Sequence, residues 1–460
     1  MTKQTKDVQT VIDELATKGV EALDAMANFT QEQVDHIVHQ AAIAALDKHM
    51  YLAKLAVDET GRGIYEDKAI KNMYASEYIW NSIKYDKTVG VIAEDKEQGL
   101  VSIAEPVGVI CGVTPTTNPT STTIFKALIA LKTRNSIIFA FHPSAQKSSA
   151  EAARIVRDAA IEAGAPKDCI QWIEEPSIEA TGLLMNHPKI ATVLATGGPG
   201  MVKAAYSTGK PALGVGAGNV PSYIAADAKV KRAVNDIIVS KTFDNGMICA
   251  SEQAAIVDAA IYDEVKAEFE AHQCVIISKK ADIAKLEKVV LNEARTAVNG
   301  AIVGHSAIEI AEKAGLKVPA GTKMLLAEIP DATMEHPLAL EKLSPVLALI
   351  KSDGVEDGFK KAEGMLNLGG LGHTAVIHTE NEEQLQYGIR MKACRVLVNS
   401  PSAEGGIGNI YNNMIPSLTL GCGSYGHNSV SHNVSSFDLL NVKTLSKRRN
   451  NMQWFRVPPK

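Results

Sequence analysis

The chain has 460 residues, 46% of them hydrophobic and 22% charged, with a formal net charge of −5. That length supports two large domains or about three smaller ones with a core that needs no disulfide or metal staples. The slight acidic excess excludes a general nucleic-acid binder, which needs a basic surface, but leaves room for a local basic pocket.

At the N-terminus, MTKQTKDVQT has no apolar core of the signal-peptide kind. No apolar run anywhere reaches the ~18 residues of a spanning helix, so neither membrane insertion nor export is expected. From Thr30, apolar residues at Val34, Ile37, Val38, Ala41, Ala42, Ala45 and Leu46 form a helical stripe, and Thr30 with Gln33 makes a capping box. The helical pattern continues towards Thr60 and stops at Gly61-Arg62-Gly63. Residues 87–104 then change period and read as a β-hairpin, either an oligomerisation device or a plain surface hairpin.

Strand and helix alternate from there. Val107–Cys111, Ser136–Phe141, Ala191–Ala195 and Ser222–Ala226 read as strands, with a helix over Ser148–Ala163 ending at Gly164. A second series follows Phe243, with strands at Ala254–Val257, Val346–Ile350, Thr374–His378 and Arg395–Val398. Such alternation predicts an α/β protein with parallel sheets in two domains and a cleft between them. Ligands are expected at the carboxyl ends of the strands.

Several segments carry chemistry. Thr192–Gly200 runs from an apolar strand through glycines into a helix, which suits a phosphate or a plain tight turn equally. Gly214-Val-Gly-Ala-Gly-Asn219 implies backbone packed close to a reactive centre or cofactor. Thr242–Glu252 places Cys249 just beyond an Asp-Asn-Gly turn, a setting for a reachable nucleophile, although an inert buried cysteine is the common case. There are six cysteines. They are scattered, with no CxxC pair and no HExxH, so they fit a reducing cytoplasm and predict no metal site. Cys111 and Cys394 read as core, and Cys422 is the one competitor to Cys249. Asn118, in Pro115-Thr-Thr-Asn118-Pro119, can hold an oxyanion or cap the next helix.

Together these segments resemble the aldehyde dehydrogenase superfamily, and within it the N-terminal CoA-acylating module of bifunctional aldehyde–alcohol dehydrogenases. The carriers are EPVGVICGVTPTTNPTS (105–121), LKTRNSIIFAFHPSA (131–145), ATGGPGMVKAAYSTGKPALGVGAGN (195–219), SKTFDNGMICASEQ (240–253), EKLSPVLA (341–348), GGLGHTA (369–375) and PSLTLGCGS (416–424). The resemblance implies an aldehyde dehydrogenase-like fold with two Rossmann-like domains and a β-hairpin oligomerisation element. It places an NAD-binding domain at 1–242, a catalytic domain at 243–425, and the hairpin 87–104 with segment 426–449 in the oligomerisation element. Residues 450–460 would then be a linker to an alcohol dehydrogenase module.

The same resemblance assigns roles. Cys249 matches the nucleophile and Asn118 the oxyanion-holding amide. Val113, Thr114, Pro115, Thr116, Thr117 and Asn118, with Gly198, match backbone along the dinucleotide. Gly216 matches a glycine near the nicotinamide, and Glu341 the glutamate on its ribose. Leu420 and Gly421 match a late loop over the cofactor. His142 stands where the family carries lysine near the adenosine ribose, with NAD still favoured over NADP. His373 is the candidate for deprotonating CoA, and a packed structural histidine is the alternative.

One departure bears on the reaction. Hydrolytic members carry Glu-Leu-Gly-Gly where this chain has Gly214-Val-Gly-Ala217, so the water-activating glutamate is missing. The implied reaction is acyl transfer to CoA as co-substrate, reversible between acetyl-CoA with NADH and acetaldehyde with NAD. Partners would be acetaldehyde and acetyl-CoA, with no nucleic acid and no membrane, in a homo-oligomer. The rival readings are a hydrolytic aldehyde dehydrogenase, a stand-alone acylating module and a silent filament-building module.

Overall fold

The computed structural model describes residues 7–448. The expected linker, 450–460, lies outside the described residues. Its strands in chain order are β1 (Gly90–Asp95), β2 (Leu100–Pro106), β3 (Val109–Val113), β4 (Ile137–Ala140), β5 (Ile170–Trp172), β6 (Ile190–Thr196), β7 (Ala212–Val215) and β8 (Val220–Ile224). They continue as β9 (Glu252–Asp258), β10 (Cys274–Ile277), β11 (Met324–Glu328), β12 (Val346–Ser352), β13 (Gly372–His378), β14 (Ala393–Val398) and β15 (Leu440–Ser446).

The expected capping box exists: Thr30 and Gln33 bond reciprocally at the start of helix Gln31–Asp47, which buries Val34, Ile37, Val38, Ala41, Ala42 and Ala45. A second helix, His49–Thr60, ends on Gly61 with φ +65°, a left-handed cap that favours glycine. Helix Pro119–Lys132 is buried along its whole length. It therefore shows no amphipathic stripe. Burying Phe125, Leu128 and Ile129 there stabilises the fold by roughly 1.5–3 kcal/mol per side chain.

β3 to β7 form a parallel sheet in the order β5-β4-β3-β6-β7. A second parallel sheet has the order β10-β11-β12-β9-β8-β13-β14. The hairpin is β1 and β2 joined through 96–99, and β15 pairs antiparallel with the other side of β2.

The expected domain boundary at 242/243 is corrected by the sheet pairing. β8 lies between β9 and β13 in the second sheet. Val234 and Ile237 of helix Val230–Thr242 share a core with Ile224, Val257 and Leu347. The second unit thus begins near Val220. A central parallel strand is buried on both faces, so its residue pattern does not reveal which sheet it joins.

The crossing between sheets builds the cleft. β7 ends the first sheet at Val215, and after 216–219 the chain enters β8 of the second. The carboxyl edge of the first sheet therefore faces the amino edge of the second. Ligand-facing loops at strand carboxyl ends, as expected, hold only for the first sheet.

Candidate active site

Cys249 sits between the turn Phe243–Gly246 and β9. Asp244 and Asn245 take φ +49° and +52° in that turn, a conformation these two residue types tolerate better than most. Gly218 passes directly over the nucleophile loop. A Cβ there would lie 2.0 Å from the Cys249 carbonyl oxygen and 3.2 Å from the His373 ring. This is the close approach implied by the Gly214–Asn219 run. Gly216 faces open space.

Cys249 is half-buried. His373 Nε2 lies 3.2 Å from its Sγ. His373 Nδ1 lies 2.9 Å from Thr374 Oγ1, which also accepts from Arg395 Nε at 3.2 Å. The hydroxyl oxygen has two lone pairs, so it can accept from Arg395 and from an Nδ1–H together. In that tautomer Nε2 is bare and faces the sulfur, placed to accept a proton. With the ring proton on Nε2 instead, the Thr374 hydroxyl donates to Nδ1. Burial holds His373 well below the usual imidazole range, with Arg395 adding to the effect. Burial and the Glu341 carboxylate push the Cys249 thiol up to about 12. A neutral imidazole beside a protonated thiol is the resting state.

Asn118 does not cap the helix it precedes: its side chain makes no cap bond to Pro119–Lys132. Its Oδ1 instead accepts from Lys71 Nζ at 2.7 Å. The same ammonium donates to Asp244 Oδ2 at 2.5 Å and to the Met247 carbonyl at 2.9 Å. Lys68 donates to Asp244 Oδ2 and to the Thr117 carbonyl, both at 3.0 Å. Lys126 donates to the Val113 carbonyl at 2.5 Å. Three buried lysines thus pin the 113–118 loop. With Oδ1 held, the amide NH2 of Asn118 gives one hydrogen to Thr117 Oγ1 at 3.3 Å and has the second for an oxyanion. Lys68 and Lys71 were missed from sequence. They lie an i,i+3 step apart on helix Tyr65–Met73, a spacing equally common on solvent faces. The π-turn Tyr74–Tyr78 that follows is a geometry often found at functional sites.

In the first sheet the strand order reverses between β3 and β6, the switch point where open α/β sheets bind nucleotides. The 114–118 loop leaves β3 there. Gly198 N-caps the helix after β6 and faces open space. Thr114 Oγ1 and Thr116 Oγ1 are buried without a partner among the described residues. Backbone open to a ligand and orphaned hydroxyls fit a dinucleotide along this crevice. His142, after β4, is exposed, and its Nδ1 accepts from the Ser144 amide at 3.1 Å. Glu341 accepts from the Gly218 amide at 3.1 Å. Burial raises its carboxyl to about 7, and it is the carboxylate that acts on Cys249. Gly214 is packed beneath Tyr206. Leu420 is buried on the Cys249 side, and the Gly421 carbonyl accepts from Arg395 at 2.8 Å.

A cavity of about 340 Å³ ends on Cys249 and Asn118. Its inner wall is apolar, with Tyr74, Phe243 and Ile407, and its mouth carries the exposed Ile70, Val239, Ile410 and Tyr411. Glu404, on helix Ser402–Ile407, also lines it. Burial lifts the Glu404 carboxyl to about 7, against roughly 4.3 in an unfolded chain. A raised carboxyl contributes stability that is full below the unfolded value and lost as pH rises through the folded one. Glu404→Gln is therefore expected to gain on wild type by roughly 1.4 kcal/mol per pH unit from pH ~4.3 to about 7, then hold level. Urea midpoints across that range check it, and a constant difference between the two proteins rejects it.

A thiol, an amide donor and a dinucleotide crevice converging on one apolar cavity suit an oxidoreductase that handles a carbonyl carbon through a covalent sulfur adduct. A profile of the aldehyde dehydrogenase family matches residues 2–408. The aldehyde-alcohol dehydrogenase of Streptococcus pneumoniae serotype 4 is 58% identical over 457 residues, covering 98% of this chain and 52% of that protein. The succinate-semialdehyde dehydrogenase (acetylating) of Clostridium kluyveri is 40% identical over 435 residues, covering 94% of this chain and 95% of that one. Among solved structures, an acetylating aldehyde dehydrogenase from Geobacillus thermoglucosidasius matches with a TM-score of 0.94 at 45% identity, over 97% of this chain and 98% of that one. A propionaldehyde dehydrogenase from Rhodopseudomonas palustris, with bound CoA and an acylated cysteine, matches with a TM-score of 0.85 at 28% identity, over 95% of this chain and 97% of that one. The chain belongs to the aldehyde dehydrogenase family. It spans about half the length of the aldehyde-alcohol dehydrogenase it matches.

Proposed function

We propose that this chain is a CoA-acylating acetaldehyde dehydrogenase, reversibly linking acetaldehyde, CoA and NAD to acetyl-CoA and NADH. The observation that carries the reading is the Cys249–His373 pair at 3.2 Å, reached by an apolar cavity, with a bare glycine where hydrolytic members carry their water-activating glutamate.

The Cys249 sulfur bonds to the aldehyde carbon, and its proton leaves the site. The carbonyl oxygen becomes an oxyanion, held by the Asn118 amide NH2. A nicotinamide dinucleotide, held along Thr114, Thr116 and Gly198, would supply a hydride acceptor and a positive charge. Cys249 would then carry the oxidised carbon as a thioester. The CoA sulfur attacks that thioester, its proton passes to His373 once Nε2 is bare, and the Cys249 sulfur departs. Thr114, Thr116 and Gly198 would lie along the dinucleotide, and Glu341 would turn from Gly218 to a ribose. NAD is favoured over NADP.

Among the described residues no helix is long and apolar enough to cross a membrane. The free cysteines support a cytoplasmic setting. The three-stranded β1-β2-β15 sheet, with Val91, Val442 and Leu445 exposed, is proposed as the oligomerisation element. An alcohol dehydrogenase module is proposed to follow in the full-length protein.

The test follows NADH formation from acetaldehyde and NAD, with and without CoA. CoA-dependent turnover yielding acetyl-CoA is expected. Acetate formed at the same rate without CoA would overturn the reading, and Glu341 would then be the base to replace.

A further inference from the structure

The cavity that ends on Cys249 has a charge pattern that bears on which aldehydes enter it. The one cationic side chain lining it is Lys71. An ammonium has three hydrogens to donate, and those of Lys71 are engaged by Asp244, Met247 and Asn118. Two carboxylates line the same wall, Asp67 and Glu404. Asp67 Oδ2 accepts from the Asp244 amide at 2.7 Å. Glu404 is only 7% exposed, and its Oε2 has no hydrogen-bond partner among the described residues. Asp236 stands behind it on helix Val230–Thr242, buried, with Oδ2 also unpartnered.

A neutral aldehyde loses little by entering such a wall. An aldehyde with a carboxylate or sulfonate at its far end is stripped of water with no cation to meet it. It also comes to rest among carboxylates, and an uncompensated buried charge is costly. The Clostridium kluyveri relative, named for succinate semialdehyde, is 40% identical to this chain.

We propose that the cavity admits short uncharged aldehydes and excludes those with a terminal anionic group, with Glu404 as the side chain that sets the distinction. The proposal rests on the acylating reading above and names the substrate class of the same site. Once Glu404 is ionised its oxygens can only accept, so it offers an incoming anion no donor. Asp67 on the same wall, and Asp236 acting on Glu404 from helix Val230–Thr242, add negative charge when ionised.

The test compares butanal with succinate semialdehyde, which share a four-carbon chain and differ in the terminal methyl or carboxylate. With saturating CoA and NAD at pH 8, above the raised Glu404 carboxyl, kcat/KM for butanal should exceed that for succinate semialdehyde by 100-fold or more. In Glu404→Gln, which keeps the shape and removes the charge, the ratio should shrink at least tenfold. The ratio is internal to each protein, so partial loss of folded enzyme does not move it. Wild-type values within tenfold of each other, or a ratio unchanged in the variant, overturn the proposal.

A second measurement needs no turnover. Iodoacetamide and iodoacetate alkylate the same thiol and differ in charge. With NAD present, Cys249 should react with iodoacetate at least 100-fold more slowly than with iodoacetamide, after dividing by the rates with free glutathione. Glu404→Gln should narrow that gap tenfold. CoA-independent aldehyde oxidation would sink the acylating reading alone, whereas equal alkylation by the two reagents would sink the charge proposal alone.

Discussion

Replacing Cys249 with alanine is expected to cut aldehyde-dependent NADH formation by about 10⁴-fold or more, with CoA or without it, because in the proposed mechanism the aldehyde carbon is held on that sulfur throughout. The variant should melt like wild type, since a half-buried side chain is shortened without opening the core. Cys422→Ala is the matched control. Its sulfur is buried, donates to the Leu420 carbonyl at 3.3 Å and is pushed up to about 11 by burial. That variant should keep most of its turnover. If Cys422→Ala is the inactive one, the nucleophile has been misassigned. The electrostatics add a second expectation. With the Cys249 thiol pushed up to about 12, the thiolate fraction in the ligand-free protein rises tenfold per pH unit. Alkylation by iodoacetamide should climb with that slope from pH 6 to 9. Adding NAD should accelerate it at fixed pH, because a nearby positive charge favours the thiolate. A flat pH profile would mean that the thiol is already ionised.

Cys249 stands out in the sequence because its setting is local: an Asp-Asn-Gly turn, then a cysteine, then a strand. The Gly214–Asn219 run was legible for a similar reason, since only glycine at 218 lets the chain pass 2.0 Å (Cβ to oxygen) from the Cys249 carbonyl. What joins distant segments was not legible. Lys71 and Asp244 make a buried pair across more than a hundred and seventy positions, and neither residue type announces burial. Thr374 and Arg395 come into register only because β13 and β14 pair at those positions. The strands that were missed include the shortest ones. β5 spans Ile170–Trp172, and β7 and β10 span Ala212–Val215 and Cys274–Ile277, too short for a two-residue period to show. The misplaced domain boundary has a related cause. Ser222–Ala226 follows Ala191–Ala195 in the predicted series, so it reads as the next strand of the same sheet, and only pairing of β8 with β9 and β13 reveals the crossing. Asn118 had two readings from spacing alone, and the absence of a cap bond together with the Lys71 contact favours one.

Lys71→Met tests how that contact matters. An amide can hold an oxyanion only with its NH2 end forward, and in this protein the Lys71 ammonium holds the Oδ1 end back. Without it the Asn118 side chain is free to turn, and the Asp244 carboxylate keeps Lys68 as its one cation. The expected loss in kcat is about 10²–10³-fold, the usual result of removing one oxyanion donor, with a smaller change in KM. Asn118→Ala should lose a similar amount. Because Lys71 acts through Asn118, the double variant should be no slower than the worse single one, which is the signature of a positioning residue. Breaking the buried pair should also lower stability by about 3–5 kcal/mol, so rates are compared well below the melting transition. The pH profile separates positioning from mere support. Burial lowers Lys71 to about 8, with Asp244 opposing the shift. Above that pH the amine gives up one of its three donors, and wild-type kcat should fall. In Lys71→Met that alkaline fall should vanish. If the variant loses stability but keeps both its kcat and the alkaline fall, the lysine only braces the loop and Asn118 is oriented by the chain around it.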